Sequence, residues 1–319
     1  MAVTLAEAKK NVQDDLQIGV IDEFRKSNFF WDTLTFDDVV SPTGGGAALT
    51  YAYTRLLTQP TAEFREINHE YTPQEVTRQK FTADLAVFGG SFEIDRIIAD
   101  MGGIVDEVQL QLQQKIKAAS ALFNDTVING DVALGTHAFD GLEKALKGSS
   151  TEINATGQAI DLSTSDKVTE NAIKFLDQLD EFLSALDGRP GALMGNSKLI
   201  NKIKAVARRT SMYTQTQDAF GRQVSTYDGI PLINLGAKAG TNEDVVSTKA
   251  EDGTTSLYAV RFGLDGFHGI SMTGQSPVRT WLPDFSTAGA VKRGEVEMVA
   301  GVALKATKSA GVLRNIKVK

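Results

Sequence analysis

The most distinctive pattern in the chain is an alternation of apolar and polar residues on two arms that flank a charged, turn-rich segment. The first arm alternates at Leu49, Tyr51 and Tyr53, and the second arm continues the pattern after the charged segment. Alternation with a period of two is typical of half-buried β-strands. It predicts a long β-hairpin between Ala47 and Asp100 with its tip at Gln59 to Pro73. Two strands bury too little apolar surface to be stable alone in water, so we expect this hairpin to lie on another copy of the chain.

One long amphipathic helix is predicted directly after the hairpin, from Ile104 to Asn129. Its apolar residues recur every three or four positions and form one stripe, made of Ile104, Val108, Leu112, Ile116, Ala119, Phe123 and Val127. Such spacing places side chains on one face of a helix. Asn129 and Gly130 together form a typical helix stop. The helix should act as the spine of a domain.

The N-terminal part shows a second amphipathic helix, over residues 4 to 27, that either packs on its own domain or reaches a neighbouring subunit. An apolar group follows it, Phe29, Phe30 and Trp31, which we interpret as an anchor and a candidate contact between subunits. Glycine tolerates backbone angles that other residues avoid. We therefore predict hinges in the runs of glycine on either side of the hairpin, at Gly44, Gly45, Gly46, Gly89 and Gly90.

A second domain is predicted to begin near Ser165. Its expected elements are a helix over 169–186, a buried strand over 192–194, a helix over 197–209, a polar mobile loop over 210–222 and strands near 230–233 and 256–262. Beyond Pro277 the alternation predicts long strands over 295–306 and 312–318. We expect these last strands to return to the domain built on the spine helix.

Composition and charge narrow the function classes. The 319 residues are 42% hydrophobic and 23% charged, which is typical of globular proteins. The net charge is −7, and no polybasic run favours sequence-specific reading of nucleic acid. Cysteine is absent, which excludes disulfides, thiolate zinc sites and cysteine nucleophiles. The chain shows neither a transmembrane run nor a signal peptide, so we expect it to stay where it is made.

The sequence does not predict an active site, a cofactor or a metal centre. The three histidines, His69, His137 and His268, are far apart and lack metal-ligand spacing. Phosphate-binding and nucleophile-elbow motifs are missing. Arg208 and Arg209 are open to two interpretations, a phosphate clamp or a complement to the dipole of the helix that they end.

The charges of the hairpin also leave two readings open. Residues of both signs are interleaved on the tip and on the second arm, namely Glu63, Arg65, Glu66, Glu70, Arg78 and Lys80. They are either a solvated face or contacts that set the register with a partner subunit, because complementary charge selects partners.

The elements follow one another in a definite order, in which the spine helix is preceded by Phe88-Gly89-Gly90-Ser91-Phe92 and followed by Asn129-Gly130-Asp131 and Phe139-Asp140-Gly141-Leu142. This order of elements resembles that of the major capsid proteins of tailed bacteriophages with the HK97 fold. The resemblance implies an α+β fold of four parts. They are an N-terminal arm over 1–43, an extended hairpin or E-loop over 46–90, a peripheral domain over 91–164 and 277–319, and an axial domain over 165–276.

The resemblance also implies partners and a location. Copies would form hexamers and pentamers of an icosahedral shell that is assembled in the host bacterial cytoplasm and becomes part of the virion. A portal, separate scaffolding or decoration proteins and non-specifically contacted packaged DNA would be its partners, with no membrane and no catalysis. Two alternatives stay open at this point, an encapsulin-like nanocompartment that encloses enzymes and a monomeric enzyme or binding protein.

Overall fold

The structure is a computed structural model, which describes most of the chain downstream of residue 28. The described residues are 29–41, 49–58, 60–100, 107–134, 137–210, 214–217, 223–238, 240–274 and 276–319, with the backbone alone at 214–217. The predicted N-terminal helix over 4–27 and the predicted hinge at Gly44 to Gly46 lie outside these residues.

The described residues form six α-helices and fifteen strands. The helices are α1 (Phe29–Thr33), α2 (Arg96–Asp100), α3 (Glu107–Asn129), α4 (Leu142–Leu146), α5 (Ser165–Ser184) and α6 (Ser197–Arg209). The strands of the first half are β1 (Phe36–Val40), β2 (Thr50–Leu56), β3 (Arg78–Asp84), β4 (Ala86–Asp95), β5 (Glu152–Ile153), β6 (Ile160–Asp161) and β7 (Ala192–Gly195). The second half contributes β8 (Thr214–Gln217), β9 (Gln223–Tyr227), β10 (Ile230–Asn234), β11 (Thr254–Val260), β12 (Phe267–Met272), β13 (Val278–Trp281), β14 (Val291–Leu304) and β15 (Ala310–Lys317).

The first layer is a five-stranded sheet on which the spine helix α3 lies. Its order is β1-β12-β14-β13, and β4 pairs with the long strand β14 from Val291↔Asp95 to Ala300↔Ala86. The helix packs on both β4 and β14. Ala119 of α3 meets Val296 and Met298 of β14 in one buried cluster. The apolar stripe of the predicted spine helix is therefore what binds it to this sheet.

The second layer is an eight-stranded sheet with α5 and α6 packed on it. Its order is β5-β15-β11-β7-β10-β9-β8, and β6 also pairs with β15. Both helices begin at side-chain caps, because Thr164 accepts from the backbone N–H of Lys167 and Asn196 from that of Leu199. A cap of this kind satisfies an N–H that the first helical turn leaves without a partner. The bounds predicted for α6 are confirmed.

The two predicted C-terminal strands join different sheets. β15 pairs along β11 and not with the sheet under α3, whereas β12, which we assigned to the second domain, pairs with β14 of the first sheet. Alternation reveals that a segment is a strand, but it does not identify the neighbour of a strand that is buried on both faces. One core cluster even spans the two layers, with Phe30 and Phe123 beside Met194 and Tyr258. The two predicted domains therefore share a core.

The predicted loop over 210–222 contains a strand. Residues 214–217 form β8, which pairs antiparallel with β9 from Thr214↔Thr226 to Gln217↔Gln223. Its four residues, Thr-Gln-Thr-Gln, carry no apolar alternation. This edge strand is set by backbone pairing with β9, which is why its sequence reads as a loop.

Candidate assembly surfaces

The hairpin projects from the first layer as a two-stranded ladder with an ordered tip. β2 and β3 pair in register from Thr50↔Asp84 to Leu56↔Arg78. Beyond the ladder, side chains join the two arms, as in the bond from the backbone N–H of Thr61 to Gln74 Oε1 at 2.7 Å. The backbone N–H of Thr72 donates to Glu63 Oε1, also at 2.7 Å. These cross-arm bonds replace the backbone ladder, so the tip keeps a defined shape without strands.

A tight turn closes the tip. The backbone N–H of His69 donates to the carbonyl of Glu66, and Asn68 between them has a φ of 70°. Asparagine visits this left-handed region more readily than most residues. Arg65 Nη1 donates to the His69 carbonyl at 3.1 Å, and its guanidinium lies 5.5 Å from the ring centre of Tyr71. Arg65 thus fixes the turn from within.

Large apolar side chains are exposed on this ordered tip. Phe64 is fully exposed and Ile67 is 87% exposed, while Tyr71, Leu56 and Leu57 are each more than half exposed. Exposure of several large apolar side chains on one projecting segment is typical of an interaction site. Phe64 and Ile67 were not among the predicted contact residues, which at the tip were the charged ones. The available signal was two large apolar residues inside a turn segment that otherwise favours polar ones.

The charged residues of the hairpin do not form one cluster. Glu63 and Arg65 bond within the tip, and Glu66 stands 3.9 Å from the exposed imidazole of His69. Glu70, Arg78 and Lys80 are exposed. That these residues contact another subunit stays a prediction.

The root of the hairpin is bound to its own subunit, contrary to the expectation that the hairpin finds a partner only in another copy. Tyr51 Oη donates to Asp37 Oδ2 at 3.0 Å, and Tyr53 Oη donates to the carbonyl of Leu304 at 2.9 Å. Arg55 Nε donates to the carbonyl of Lys305 at 2.7 Å. Tyr51 is also buried in an apolar cluster with residues of β12 and β14. The root is therefore anchored, whereas the outer part of the hairpin makes no such contact with the other described residues.

Aromatic and cationic groups stiffen this anchor. The rings of Tyr53 and Phe81 stack with centroids 5.9 Å apart, and the Arg55 guanidinium lies 4.3 Å from the Phe81 centroid. Burial raises the pKa of both Tyr51 and Tyr53, so their hydroxyls remain protonated donors at neutral pH. The direction in which the hairpin leaves the subunit is fixed by these contacts.

His268 lies beneath the root and is fully buried. Its ring meets that of Tyr51 edge-on at 5.8 Å. Burial lowers the pKa of His268, and nearby Lys305 lowers it further, whereas Asp37 and Asp265 act in the opposite direction. The imidazole is neutral at neutral pH.

The buried histidine predicts that the fold loses stability in mild acid. The unfolded histidine takes up a proton near its ordinary pKa of 6.5, while the folded one resists protonation. The unfolded state therefore binds more protons, and the stabilisation that is present above pH 6.5 is lost as the pH falls through the lower folded pKa. We expect the melting temperature to fall between pH 7 and pH 5, and His268→Leu to flatten that fall. His69→Gln, at an exposed site, is the control, and an unchanged slope in His268→Leu would refute the prediction.

The aromatic group at residues 29 to 31 packs on its own subunit, and this corrects the assignment of the buried Phe30 as a contact between subunits, while a contact by the half-buried Phe29 and Trp31 stays a prediction. Phe30 is fully buried, and its backbone N–H donates to Asn124 Oδ1 at 3.2 Å. Trp31 stands edge-on to Phe123 at 5.0 Å, and Phe29 packs against Phe262. An apolar triplet of this kind indicates burial, but its sequence does not say in which subunit.

The position of Gly89 and Gly90 does not suit a hinge. Both lie inside the continuous ladder between β4 and β14, opposite Glu297 and Val296. The hairpin ladder ends instead at Asp84, one residue before Leu85. A Cβ on Gly89 would lie 2.0 Å from the Val296 carbonyl oxygen. Glycine serves here for close backbone approach.

Gly89→Ala is therefore expected to destabilise the subunit by about 1–3 kcal/mol, because the added methyl overlaps backbone that cannot move aside. Gly90→Ala is the matched control, since its Cβ would meet only the flexible side chain of Lys115, at 3.3 Å. Denaturant unfolding of both variants measures the difference. Equal stability of the two would contradict this reading of the ladder.

Arg208 and Arg209 occupy the last turn of α6. Arg209 donates to the carbonyl of Ala205 at 3.3 Å and to Ser165 Oγ at 2.8 Å. These bonds fit the helix-end interpretation, since cations are favoured where a helix ends. Arg208 is exposed. A role for either arginine between subunits stays a prediction.

The described residues provide neither a metal site nor a membrane-spanning helix. Within the ranges given above, no three histidine, aspartate or glutamate side chains converge as metal ligands would. The helices of the same ranges all fall short of the length and apolar character that crossing a bilayer demands.

Comparison with known proteins identifies the fold. No protein-family model matches the chain, and no curated protein is similar to it in sequence. Among solved structures, the holo-SrpI encapsulin complex of Synechococcus elongatus PCC 7942 aligns with a TM-score of 0.69 at 16% identity, over 100% of this chain and 98% of that one.

Capsids align over the same extent. A structure of Mycobacterium phage Bobi gives a TM-score of 0.60 at 12% identity, over 98% of this chain and 99% of the phage chain. The capsid of an empty GTA particle gives 0.58 at 12% identity, over 98% of both chains. Alignment along the whole length shows that this chain has the HK97 fold of capsid and encapsulin shell proteins.

Proposed function

We propose that the chain is the major capsid protein of a tailed phage, whose copies assemble into a closed icosahedral head around double-stranded DNA. The observation that carries the proposal is the hairpin, anchored by Tyr51, Tyr53 and Arg55 at its root and fully exposed at Phe64 on its tip. A rigid projection with apolar side chains in water is stabilised when another copy covers it. Each contact is modest, and closed symmetry repeats it many times.

The whole-chain similarity to phage and GTA capsids supports the same conclusion, since those chains are shell subunits. In this reading the protein has no catalytic role. Portal, scaffolding or decoration proteins and packaged DNA are its partners, and it assembles in the cytoplasm of a bacterial host.

A second candidate is an encapsulin-like shell that encloses enzymes. The observation that favours it is the higher TM-score with the SrpI encapsulin, 0.69 against 0.60 for the Bobi capsid. Both candidates use the same subunit fold, so the contents of the particle distinguish them.

The test is the content of particles purified from the native source. Nuclease-protected double-stranded DNA together with a portal protein is the expected result for a phage head. An enzyme that co-purifies inside the shell, with no protected DNA, would replace the phage proposal with the encapsulin one. A chain that forms no particle in the native source would contradict both.

A further inference from the structure

The two helices on the second sheet carry opposite charge. α6 has five basic residues and no acidic one, although the whole chain has a net charge of −7. The neighbouring helix α5 carries five acidic residues against two basic ones. The acidic set is Asp166, Glu170, Asp177, Asp180 and Glu181, and the basic set of α6 is Lys198, Lys202, Lys204, Arg208 and Arg209. The charge separation lies between two adjacent elements of one layer.

These charges stand on the outer faces of both helices. The buried residues of α6 include Leu199, Ile203 and Val206, which leaves Arg208 exposed on the opposite side and Lys204, one turn earlier, partly exposed beside it. The same spacing brings Asp177 and Glu181 together on the outer side of α5. Each helix therefore presents a pair of like charges, one turn apart, away from its core.

Other charges of these helices are already used within the subunit. On α6, Lys202 Nζ donates to the Ser163 carbonyl at 2.5 Å. On α5, Lys167 pairs with Glu170 at 2.7 Å, and Asp180 accepts from Tyr227 Oη at 2.6 Å. Within the described residues, no such bond is made by the side chains of the two outward pairs.

The acidic pair of α5 is also placed against the helix dipole. Asp177 and Glu181 lie in its C-terminal half, and its last turn contains no basic residue. Carboxylates near a helix C-terminus are disfavoured, and a cation there is favoured. Among the described residues, Lys174 is exposed on this face one turn before Asp177, but it does not reach the last turn, so a basic surface from outside would relieve the repulsion between the carboxylates.

We infer that the basic outer face of α6 in one copy docks on the acidic outer face of α5 in the next copy. The inference rests on the proposed self-assembly and assigns the partner of these two surfaces. Because the two faces differ, the contact is head-to-tail, and repetition of such a contact closes a ring. A polyanion such as DNA would neutralise only the basic charges of α6 and would leave the acidic charges of α5 unpaired. A second copy of the chain provides opposite charges for both faces.

Charge reversal tests this pairing. One variant, Lys204→Glu with Arg208→Glu, makes both faces acidic, and a second, Asp177→Lys with Glu181→Lys, makes both faces basic. We expect each variant alone to lose assembled particles by about tenfold or more, because like charges across an interface are strongly disfavoured. An equal mixture of the two should recover six-membered rings, in which the variants alternate and each acidic face meets a basic one, whereas a five-membered ring keeps one like-charge contact. The chain with all four changes should assemble by itself.

Controls and outcomes separate this inference from the proposed function. Lys147→Glu with Lys249→Glu, two exposed sites on neither helix, matches the charge change of the first variant and should assemble normally. Circular dichroism confirms that all variants fold, and light scattering measures the particles. If wild type assembles and both single-face variants assemble equally well, or if the chain with all four changes does not recover, the inference is wrong while self-assembly stands. Loss of bound nucleic acid from the first variant without recovery in the mixture would assign α6 to a polyanion. If wild type itself forms no particles, the proposed function fails first.

Discussion

The double substitution Phe64→Asp with Ile67→Asp is expected to abolish particle formation and to leave a folded monomer. Both side chains stand in water in the isolated subunit, so their replacement costs the subunit little stability. In the assembled shell the same positions would bury two carboxylates in an apolar contact, which is strongly unfavourable without partners. Analytical ultracentrifugation measures the loss of particles, and thermal unfolding shows that the monomer is intact.

A conservative pair provides the control. Phe64→Leu with Ile67→Leu keeps the apolar surface and should still form particles, with weaker contacts. Val39→Asp with Ile97→Asp introduces the same charges at exposed apolar positions outside the tip and tests whether the position matters. Normal particles from the tip aspartate variant would show that the tip does not hold a neighbour.

Phe30→Ala is expected to lower the free energy of unfolding by about 3–5 kcal/mol, the usual cost of truncating a buried phenylalanine. Phe30 is fully buried where α1 crosses the spine helix, and it packs edge-on to Phe267 at a centroid distance of 6.4 Å. The cavity left behind would open the core that joins both layers. Denaturant unfolding of the unassembled subunit measures the change.

Phe29→Ala is the matched control, because Phe29 is only partly buried and should cost less than half as much. If Phe30 instead served mainly as a contact between subunits, Phe30→Ala would leave the stability of the monomer unchanged and weaken only the particle. That result would show that the assignment of Phe30 to the core is wrong.

Much of the fold is predictable from local pattern. The spine helix, the helix α6 and the two arms of the hairpin follow from periodicity and from helix-stop and turn residues, all of which act within a few residues of each other. The stop at Asn129 and Gly130 matches the end of α3. Such features are encoded where they occur, and they also carried the resemblance to the HK97 fold.

What local pattern does not encode is the choice of partner. β15 is buried along most of its length and shows no polar face that would identify its neighbour, so its place beside β11 was not predicted. The anchor of the hairpin depends on Tyr53 and Arg55, which bond backbone carbonyls about 250 residues away. Contacts over such separations depend on topology, and spacing along the chain gives no signal for them.

The most direct test of self-assembly through the hairpin is electron microscopy of the purified full-length chain at rising concentration. We expect closed, hollow shells in which the hairpin of each copy, with Phe64 and Ile67 at its tip, lies on the surface of an adjacent copy. A single 34.4 kDa species at every concentration, or shells whose hairpin tips stand free in solvent, would contradict it.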